Sequence, residues 1–279
     1  MKIGAIIQAR ISSTRLPQKV LLELPFGSGI TVLEQVIRRL KKSALLNEIL
    51  VATTNNPEDK RLIKIAEKER VKHFRGSEKN VLERYYLCAK KNKIDVVVRI
   101  TSDCPCIDWN IVDMTIEEHL RNKADYTSNT LERTFPHGLD VEVISFKALE
   151  EAYYEASEDF EKEHVSPYIY ITHRKKFKII SVKAPEHLTA PDIRITIDTE
   201  EDYALLCAVF DYLYPRNPYF QAAEIIHLFK KKPWLKLINK KVLQKKIFLS
   251  LEEELEEAKK LLELQELKRA REALEKWKA

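Results

Sequence analysis

Apolar, β-branched runs alternate with amphipathic segments along the first hundred residues. The strand-like runs cover residues 3–7, 48–53 and 71–74. They alternate with helix-like segments at 32–42, 58–69 and 79–91. Strands that alternate with helices in this way form a parallel sheet with helices on both of its faces. The pattern therefore predicts an α/β protein with a Rossmann-like, three-layer fold and a mostly parallel sheet.

Residue types at the ends of these segments support the same elements. Thr31 and Glu34 form a capping-box pair, and Asn56 precedes Pro57 at a first helical position. Residues 95–101 contain a continuous apolar run, which is typical of a central strand buried on both faces. Further strands are predicted at 139–146, 177–182 and 194–197, and further helices at 146–156 and 201–212.

The composition changes at about Ser250 to Leu, Glu, Lys and Ala, without Gly or Pro. This pattern predicts a main domain at 1–249 and a long amphipathic helix at 250–279. The helix could dock on the domain or pair two subunits in a homodimer, although the spacing loses register and so disfavours an extended coiled coil. Its apolar positions recur at alternating spacings of four and three residues: Leu251, Leu255, Ala258 and Leu262.

The overall composition indicates a folded enzyme or binding domain, with 44% hydrophobic and 33% charged residues. The net charge of +5 is small and spread along the chain, so it allows phosphorylated ligands without indicating a nucleic-acid-binding protein. No apolar run approaches the roughly 18 residues of a membrane span, and the four cysteines lack zinc-site spacing, which favours a cytoplasmic protein. The presence of only five glycines beside many Lys, Glu, Ile and Leu residues suggests heat resistance.

The loop after the first predicted strand combines cations with hydroxyl groups. It reads Gln-Ala-Arg-Ile-Ser-Ser-Thr-Arg-Leu-Pro-Gln-Lys from Gln8 to Lys19, with Arg10 and Arg15 between them. Guanidinium groups, a mobile lysine and backbone N–H groups can together hold a triphosphate. Charge alone would equally fit a solvated basic loop, so the order of the residues matters more than their charge.

That order resembles the N-terminal signature of the cytidylyltransferases that make CMP-activated acidic sugars, and most closely their SpsF (spore coat polysaccharide biosynthesis) branch. The family loop usually ends in Arg-Leu-Pro-Gly-Lys, whereas Gln18 stands here in the place of the glycine. The resemblance implies a nucleotidyltransferase fold and an enzyme that uses CTP, Mg²⁺ and a small acidic acceptor. It extends over residues 1–215 through further motifs at 74–85, 99–108, 129–143, 163–168 and 195–202.

The resemblance also implies roles for individual residues. The residues that would bind the nucleotide are Gln8, Ala9, Arg10, Arg15, Lys19, Arg75, Gly76, Ser77 and Ser102. The residues that would face the acceptor are Asn129, His137, Gly138, Asp140, Glu142, Glu163 and His164. Arg10, Lys19 and Asp103 would be catalytic.

The chemistry of nucleotidyl transfer fits these residue types independently. An oxygen nucleophile attacks the α-phosphate and pyrophosphate leaves, so catalysis depends on positioning and charge stabilisation. Mg²⁺ suits this task because it takes oxygen ligands and bridges phosphates from one or two carboxylates. Asp103 and Asp198 follow predicted strands, at the edge where open α/β sheets bind ligands, and are the candidate metal ligands. Each could instead cap a helix or a turn.

The acceptor-side residues could also have purely structural roles. His137, before Gly138 in a predicted turn, and His164, at a predicted helix start, could be packing or capping residues. Asp140 and Glu142 are two residues apart in a predicted strand, so they would share one face, which could also be a solvated face.

Two other functions fit parts of the sequence. A glycosyltransferase of related architecture would consume a nucleotide sugar, but such enzymes commonly carry an Asp-x-Asp motif, and here the matching place reads Asp103-Cys-Pro-Cys. A non-catalytic nucleotide-binding protein could use the C-terminal helix to recruit partners. Binding of free CTP, and loss of function on deleting that helix, would separate these possibilities.

Overall fold

The computed structural model describes residues 1–243 and 250–277. Its strands are β1 (Ile3–Gln8), β2 (Glu48–Thr54), β3 (Lys72–Gly76), β4 (Val96–Thr101), β5 (Tyr126–Ser128), β6 (Glu142–Ser145) and β7 (Ile179–Ser181). They form one sheet in the order β3-β2-β1-β4-β6-β5-β7. Neighbouring strands from β3 to β4 are parallel, β6 is antiparallel to both of its neighbours, and β5 is parallel to β7.

Helices cover both faces of this sheet. They are α1 (Val32–Leu40), α2 (Lys60–Lys68), α3 (Val81–Asn92), α4 (Trp109–Asn122), α5 (Phe146–Glu155), α6 (Asp159–His164), α7 (Glu200–Leu213), α8 (Ala222–Lys231) and α9 (Leu235–Ile238). Successive side chains of β1 point to opposite faces of the sheet and enter different hydrophobic clusters. Ile7 packs with α1 and α7, whereas Ile6 packs with α3 and α5. This confirms the three-layer α/β fold with a mostly parallel sheet.

The predicted helix starts are present. Thr31 Oγ1 accepts a hydrogen bond from the Glu34 amide at 3.2 Å, and the Glu34 carboxylate accepts one from the Thr31 amide at 2.7 Å, which closes the capping box of α1. Pro57 begins a single turn of 3₁₀ helix, Pro57–Asp59, that leads directly into α2. Local sequence therefore sets both of these starts.

Several predicted strands are shorter than expected or absent. Residues 194–197 form no strand and make one isolated bridge, between Arg194 and His137. Strand β6 begins only at Glu142, because the preceding backbone bonds to the side chain of Asn129 instead of to a neighbouring strand. Strand β7 is confined to Ile179–Ser181, and the sequence pattern did not predict α4 or β5.

The chain divides into two compact units, Met1–Val242 and Leu243–Ala279. The predicted boundary at residue 249 lies outside the described residues. The predicted single helix at 250–279 is wrong, since the second unit contains α10 (Leu251–Leu264) and α11 (Lys268–Trp277). Glu266 between them has a left-handed backbone (φ +57°), which ends the helical path. No helix in the described ranges is both long and apolar enough to cross a membrane.

Candidate active site

The basic loop leaves the carboxyl end of β1 and ends in a short 3₁₀ helix, Lys19–Leu21. Gln18, which replaces the usual glycine of the family loop, precedes this helix with φ +58° and ψ +20°. This left-handed conformation is the one that glycine adopts without a steric penalty. Gln18 thus adopts a backbone conformation that is open to glycine, and its side chain accepts a hydrogen bond from Arg61 at 2.9 Å.

The ammonium group of Lys19 lies between two carboxylates. Lys19 Nζ is 2.6 Å from Asp103 Oδ2 and 2.9 Å from Asp198 Oδ1, and it also donates to the Ile197 carbonyl at 2.8 Å. Asp103 follows β4, Asp198 lies just before α7, and Lys19 follows β1. Three residues predicted from separate parts of the sequence thus meet at one edge of the sheet.

This proximity changes the ionisation of both partners. Burial alone would raise the pKa of Asp103, but the charge and hydrogen bond of Lys19 outweigh it and hold that pKa at about 2. Burial alone would lower the pKa of Lys19, but the two carboxylates raise it above its ordinary value. At neutral pH the Lys19 ammonium therefore faces an ionised Asp103 carboxylate.

The second oxygen of Asp198 is held by arginines. Asp198 Oδ2 is 2.8 Å from Arg194 Nη2 and 3.1 Å from Arg15 Nη2. Arg194 donates in addition to both oxygens of Asp202, each at 2.9 Å, and Asp202 is fully buried at the start of α7. Arg15 thus joins the cluster as predicted, whereas Arg194 and Asp202 were not identified from the sequence. Their spacing of four residues on each side of Asp198 was the available signal.

Backbone contacts connect the two metal-ligand candidates. The carbonyl oxygen of Asp103 accepts hydrogen bonds from the Ile197 amide at 2.9 Å and from Thr196 Oγ1 at 3.1 Å. The segment that carries Asp198 is therefore fastened to the end of β4. The relative position of Asp103 and Asp198 depends on this backbone link as well as on Lys19.

Arg10 lies on another side of the loop. Its Nη1 is 3.8 Å from Glu78 Oε1, and about half of its side chain (52%) is exposed. Glu78 also accepts hydrogen bonds from Asn56 at 2.8 Å and Ser12 at 2.9 Å, and these bonds lower its pKa. The structure therefore places Arg10 beside Glu78.

The other predicted nucleotide-binding residues lie at or just after the carboxyl ends of β1, β3 and β4. Arg75 donates to the carbonyls of Thr54 at 3.0 Å and Asn56 at 3.2 Å, so its guanidinium is held by backbone. Gly76 is close-packed, since a Cβ there would lie 3.1 Å from Arg84 Cγ. Hydrogen bonds hold the remaining residues in place. The Ala9 amide donates to the Ala52 carbonyl, the Ser102 amide donates to the Gln8 carbonyl, and Ser77 Oγ accepts from the Asn80 amide.

The side chains of two predicted acceptor-side residues already bind other groups of the protein. Asn129 is fully buried, and its amide binds the Leu139 carbonyl at 2.7 Å and the Val141 amide at 2.8 Å. Glu142 forms an ion pair with Arg99 and accepts hydrogen bonds from the hydroxyls of Tyr126 and Ser166. Because β6 begins at Glu142, the prediction that Asp140 and Glu142 share one face of a strand does not hold.

His137, Gly138 and Asp140 lie next to the Asp198 segment. His137 Nδ1 is 3.0 Å from Arg194 Nη1, and Asp140 forms an ion pair with Arg133. Gly138 has φ +110°, and a Cβ there would lie 2.7 Å from the carbonyl carbon and oxygen of Ile195. A glycine is therefore required for the two segments to approach this closely.

Glu163 and His164 end a helix instead of starting one. A capping box between Glu158 and Glu161 begins α6 earlier than expected, and Val165 (φ +74°) ends it immediately after His164. The Ser166 amide then donates to the His164 carbonyl at 3.0 Å, which closes a tight γ-turn. Glu163 is exposed and His164 is half-buried.

The donor set at Lys19 suits Mg²⁺. Asp103 and Asp198 supply hard carboxylate oxygens that already converge on one cation, the Lys19 ammonium. Across the described ranges, no group of three or more His, Cys, Asp or Glu side chains is arranged to hold a metal ion. Two carboxylates are what Mg²⁺ needs when phosphates and water complete its coordination.

The sheet order, the basic loop and the two acids define a nucleotidyltransferase-type protein, and solved structures share this fold. A cytidylyltransferase from Leptospira borgpetersenii serovar Hardjo-bovis is 34% identical with a TM-score of 0.78, and the match covers 89% of this chain and 99% of that one. A CMP:2-keto-3-deoxy-manno-octonic acid synthetase solved with CTP shares the fold at 16% identity and a TM-score of 0.56, over 76% and 99% of the two chains.

The family follows from the sequence comparisons. A family model described as cytidylyltransferase matches residues 4–271, and the chain belongs to that family. An uncharacterised protein of Methanocaldococcus jannaschii is 41% identical over 88% of this chain and 97% of its own length. The spore coat polysaccharide biosynthesis protein SpsF of Bacillus subtilis is 35% identical over 82% of this chain and 94% of its own length. The predicted resemblance to cytidylyltransferases and to the SpsF branch is thereby confirmed.

Proposed function

We propose that this protein is a magnesium-dependent cytidylyltransferase that transfers CMP from CTP to an acidic sugar and releases pyrophosphate. The observation that carries the proposal is the convergence of Lys19, Asp103 and Asp198 at one edge of the sheet in a member of the cytidylyltransferase family. The acceptor class is supported by a 3-deoxy-manno-octulosonate cytidylyltransferase of Chloroherpeton thalassium. It is 32% identical over 44% of this chain and 48% of its own length.

The proposed reaction forms one bond and breaks another at the α-phosphorus. A hydroxyl oxygen of the acceptor attacks the α-phosphorus of CTP and passes its proton to water, and the bond from that phosphorus to the leaving pyrophosphate breaks. Lys19 and Arg15 would bind phosphate oxygens and stabilise the charge that develops as pyrophosphate leaves. Arg10, which is half-exposed beside Glu78, would reach the phosphates from the other side of the loop.

Asp103 and Asp198 would hold Mg²⁺, which would neutralise charge on the phosphates and help to orient them. In the structure Lys19 provides the positive charge between these carboxylates. We infer that Lys19 leaves the carboxylates when Mg²⁺ and CTP bind and turns to the phosphates. The long, flexible stem of lysine allows such a movement, whereas the planar guanidinium of Arg194 keeps Asp198 in place.

The acceptor would lie beside the segment 133–142 and the end of α6. Of the predicted acceptor residues, Glu163 is exposed and Asn129 is fully buried. Four others are partly exposed: His137, Asp140, Glu142 and His164. We also propose a cytoplasmic location, which the four free cysteines support because a reducing compartment keeps thiols unpaired. The homodimer stays a prediction.

Pyrophosphate release tests the proposed function. Purified protein is incubated with Mg²⁺, one nucleotide from CTP, UTP, GTP and ATP, and one acceptor from a panel of acidic sugars. We expect release with CTP and a loss of at least about 100-fold in Asp103→Asn and Asp198→Asn, because each removes a charged metal ligand. Asp192→Asn is a matched control, since Asp192 is exposed and pairs with Lys236 instead.

Two results would contradict the proposal. One is the absence of pyrophosphate release with every nucleotide from a folded protein in the presence of Mg²⁺. The other is consumption of a nucleotide sugar without binding of free CTP in calorimetry, which would indicate a glycosyltransferase. Retained CTP binding without any turnover would favour the non-catalytic nucleotide-binding protein.

A further inference from the structure

The two oxygens of Asp198 have different partners. Oδ1 faces Lys19 at 2.9 Å, in the direction of Asp103. Oδ2 is held by Arg194 at 2.8 Å and by Arg15 at 3.1 Å. If Lys19 and Arg15 turn to phosphates, Arg194 is the cation that remains on Asp198. Its position then decides which carboxylate oxygen is presented to the metal.

Arg194 is itself fixed by three groups. Both oxygens of the buried Asp202 accept from it, and its own carbonyl accepts from Asn239 Nδ2 at 3.1 Å. Its Nη1 is 3.0 Å from His137 Nδ1. Because a guanidinium group can only donate hydrogen bonds, Nδ1 of His137 must be the acceptor in this contact.

Because Nδ1 must accept this hydrogen bond, the protonation state of the His137 ring is specified. Nδ1 has no proton, so the ring is neutral and carries its proton on Nε2. Burial lowers the pKa of His137, as do the nearby charges of Arg133 and Arg194, whereas the charges of Asp140 and Asp103 act in the opposite direction. Nε2 is 3.7 Å from Asp140 Oδ2, beyond the distance of a good hydrogen bond. The contact with Arg194 is thus the shorter of these two contacts of the ring.

The backbone holds the ring in register with Arg194. The His137 amide donates to the Ile193 carbonyl at 2.8 Å, and the Ile195 amide donates to the His137 carbonyl at 2.7 Å. These two bonds flank Arg194 on both sides. The close approach at Gly138 keeps the two segments together immediately beyond them. The backbone of His137 therefore binds the residues on either side of Arg194, and its side chain contacts Arg194 itself.

We propose that His137 is a positioning residue for the metal site: its neutral ring holds Arg194, and Arg194 directs Asp198 Oδ1 toward the metal. This replaces the role of acceptor contact that the sequence predicted for His137. The proposal rests on the proposed function in assigning Asp198 to a metal. Groups that orient a metal ligand typically change metal affinity by about 10- to 100-fold when they are removed.

Paired substitutions separate a hydrogen-bond acceptor from a substrate contact. His137→Ala removes the ring, His137→Asn keeps an oxygen near the position of Nδ1, and His137→Gln places its amide nearer to Nε2. Binding of Mn²⁺ to each variant is measured by electron paramagnetic resonance with and without CTP. The Mg²⁺ dependence of turnover and the KM for the acceptor are measured in parallel.

We expect His137→Ala to weaken Mn²⁺ binding by about 10-fold and to raise the Mg²⁺ concentration for half-maximal rate similarly, with an unchanged acceptor KM. His137→Asn should restore most of the metal affinity, and His137→Gln should not. An acceptor KM that rises while Mn²⁺ affinity is unchanged would overturn the proposal. So would a His137→Asn variant no better than His137→Ala.

A measurement on the ligand-free protein is independent of the proposed function. The ¹⁵N spectrum of the His137 ring should show an unprotonated Nδ1 and a protonated Nε2 at neutral pH. A proton on Nδ1, or a charged ring, would overturn the positioning role even if the enzyme transfers CMP. Conversely, if no nucleotide is turned over, this spectrum and the Mn²⁺ affinity without CTP still test the link to Asp198.

Discussion

Replacing Lys19 by methionine tests the electrostatics on which the candidate site depends. Methionine keeps most of the volume of the side chain and removes its charge, which leaves Asp103 and Asp198 close together without the ammonium between them. The pKa of Asp103 should then rise from about 2 toward or above its ordinary value of 3.8, because burial opposes its ionisation and Lys19 no longer does.

The expected loss of stability follows from that pKa. A carboxyl group whose pKa is 3.8 when exposed and about 2 when folded stabilises the fold by about 2 kcal/mol above pH 4. That contribution disappears as the pH falls through about 2, so the difference between wild type and Lys19→Met should shrink in acid. For a domain of this size the loss corresponds to a fall in Tm of about 4–8 °C. Repulsion between the two carboxylates adds to it.

Urea denaturation at several pH values between 3 and 7 measures this difference, with Lys64→Met on the exposed surface of α2 as the control. Mg²⁺ should raise the Tm of Lys19→Met more than that of wild type, because no ammonium then competes for the carboxylates. A variant with unchanged stability and an unchanged response to Mg²⁺ would refute the reasoning.

Three further predictions concern the backbone and the whole fold. Gly138→Ala should lower the free energy of unfolding by at least about 2 kcal/mol in urea denaturation, because its Cβ would meet Ile195 backbone at 2.7 Å. Its control is Gly27→Ala, with φ +73° and no atom within 4 Å, which should cost only about 1 kcal/mol. Gln18→Gly should raise stability by up to about 1 kcal/mol in the same assay by relieving its positive φ, and a decrease would show that the bond to Arg61 matters more. Scanning calorimetry should give a Tm above the mesophilic range of about 45–65 °C, as the composition suggests, and a value within that range would exclude heat resistance.

Local features of the sequence predicted much of the first half of the fold. The capping box at Thr31 is a contact between residues close together in the chain, and the apolar run before Asp103 is a local pattern whose strand then pairs with β1 and β6. Helix α4 was missed although Asp108 caps it, and β5 was missed because three residues are too few for a periodic pattern. The predicted strand at 194–197 failed because its apolar residues are buried in the main hydrophobic cluster while its backbone makes only an isolated bridge, at Arg194.

The sequence by itself determined the alternation of strands and helices, the basic loop after β1, and the acids that follow the strands. These features depend on local periodicity and on residue type, and the parallel sheet brings such strand ends to one edge. Residues close together in the chain could not reveal that Lys19 stands between the two acids.

Only the tertiary structure decided how the remaining polar groups are used. In it, the buried side chain of Asn129 binds the backbone, and His137 contacts Arg194, which is 57 residues away in the chain. The physical reason is that a buried polar group must find a hydrogen-bond partner wherever the fold supplies one. Spacing along the sequence does not record which distant group that partner is.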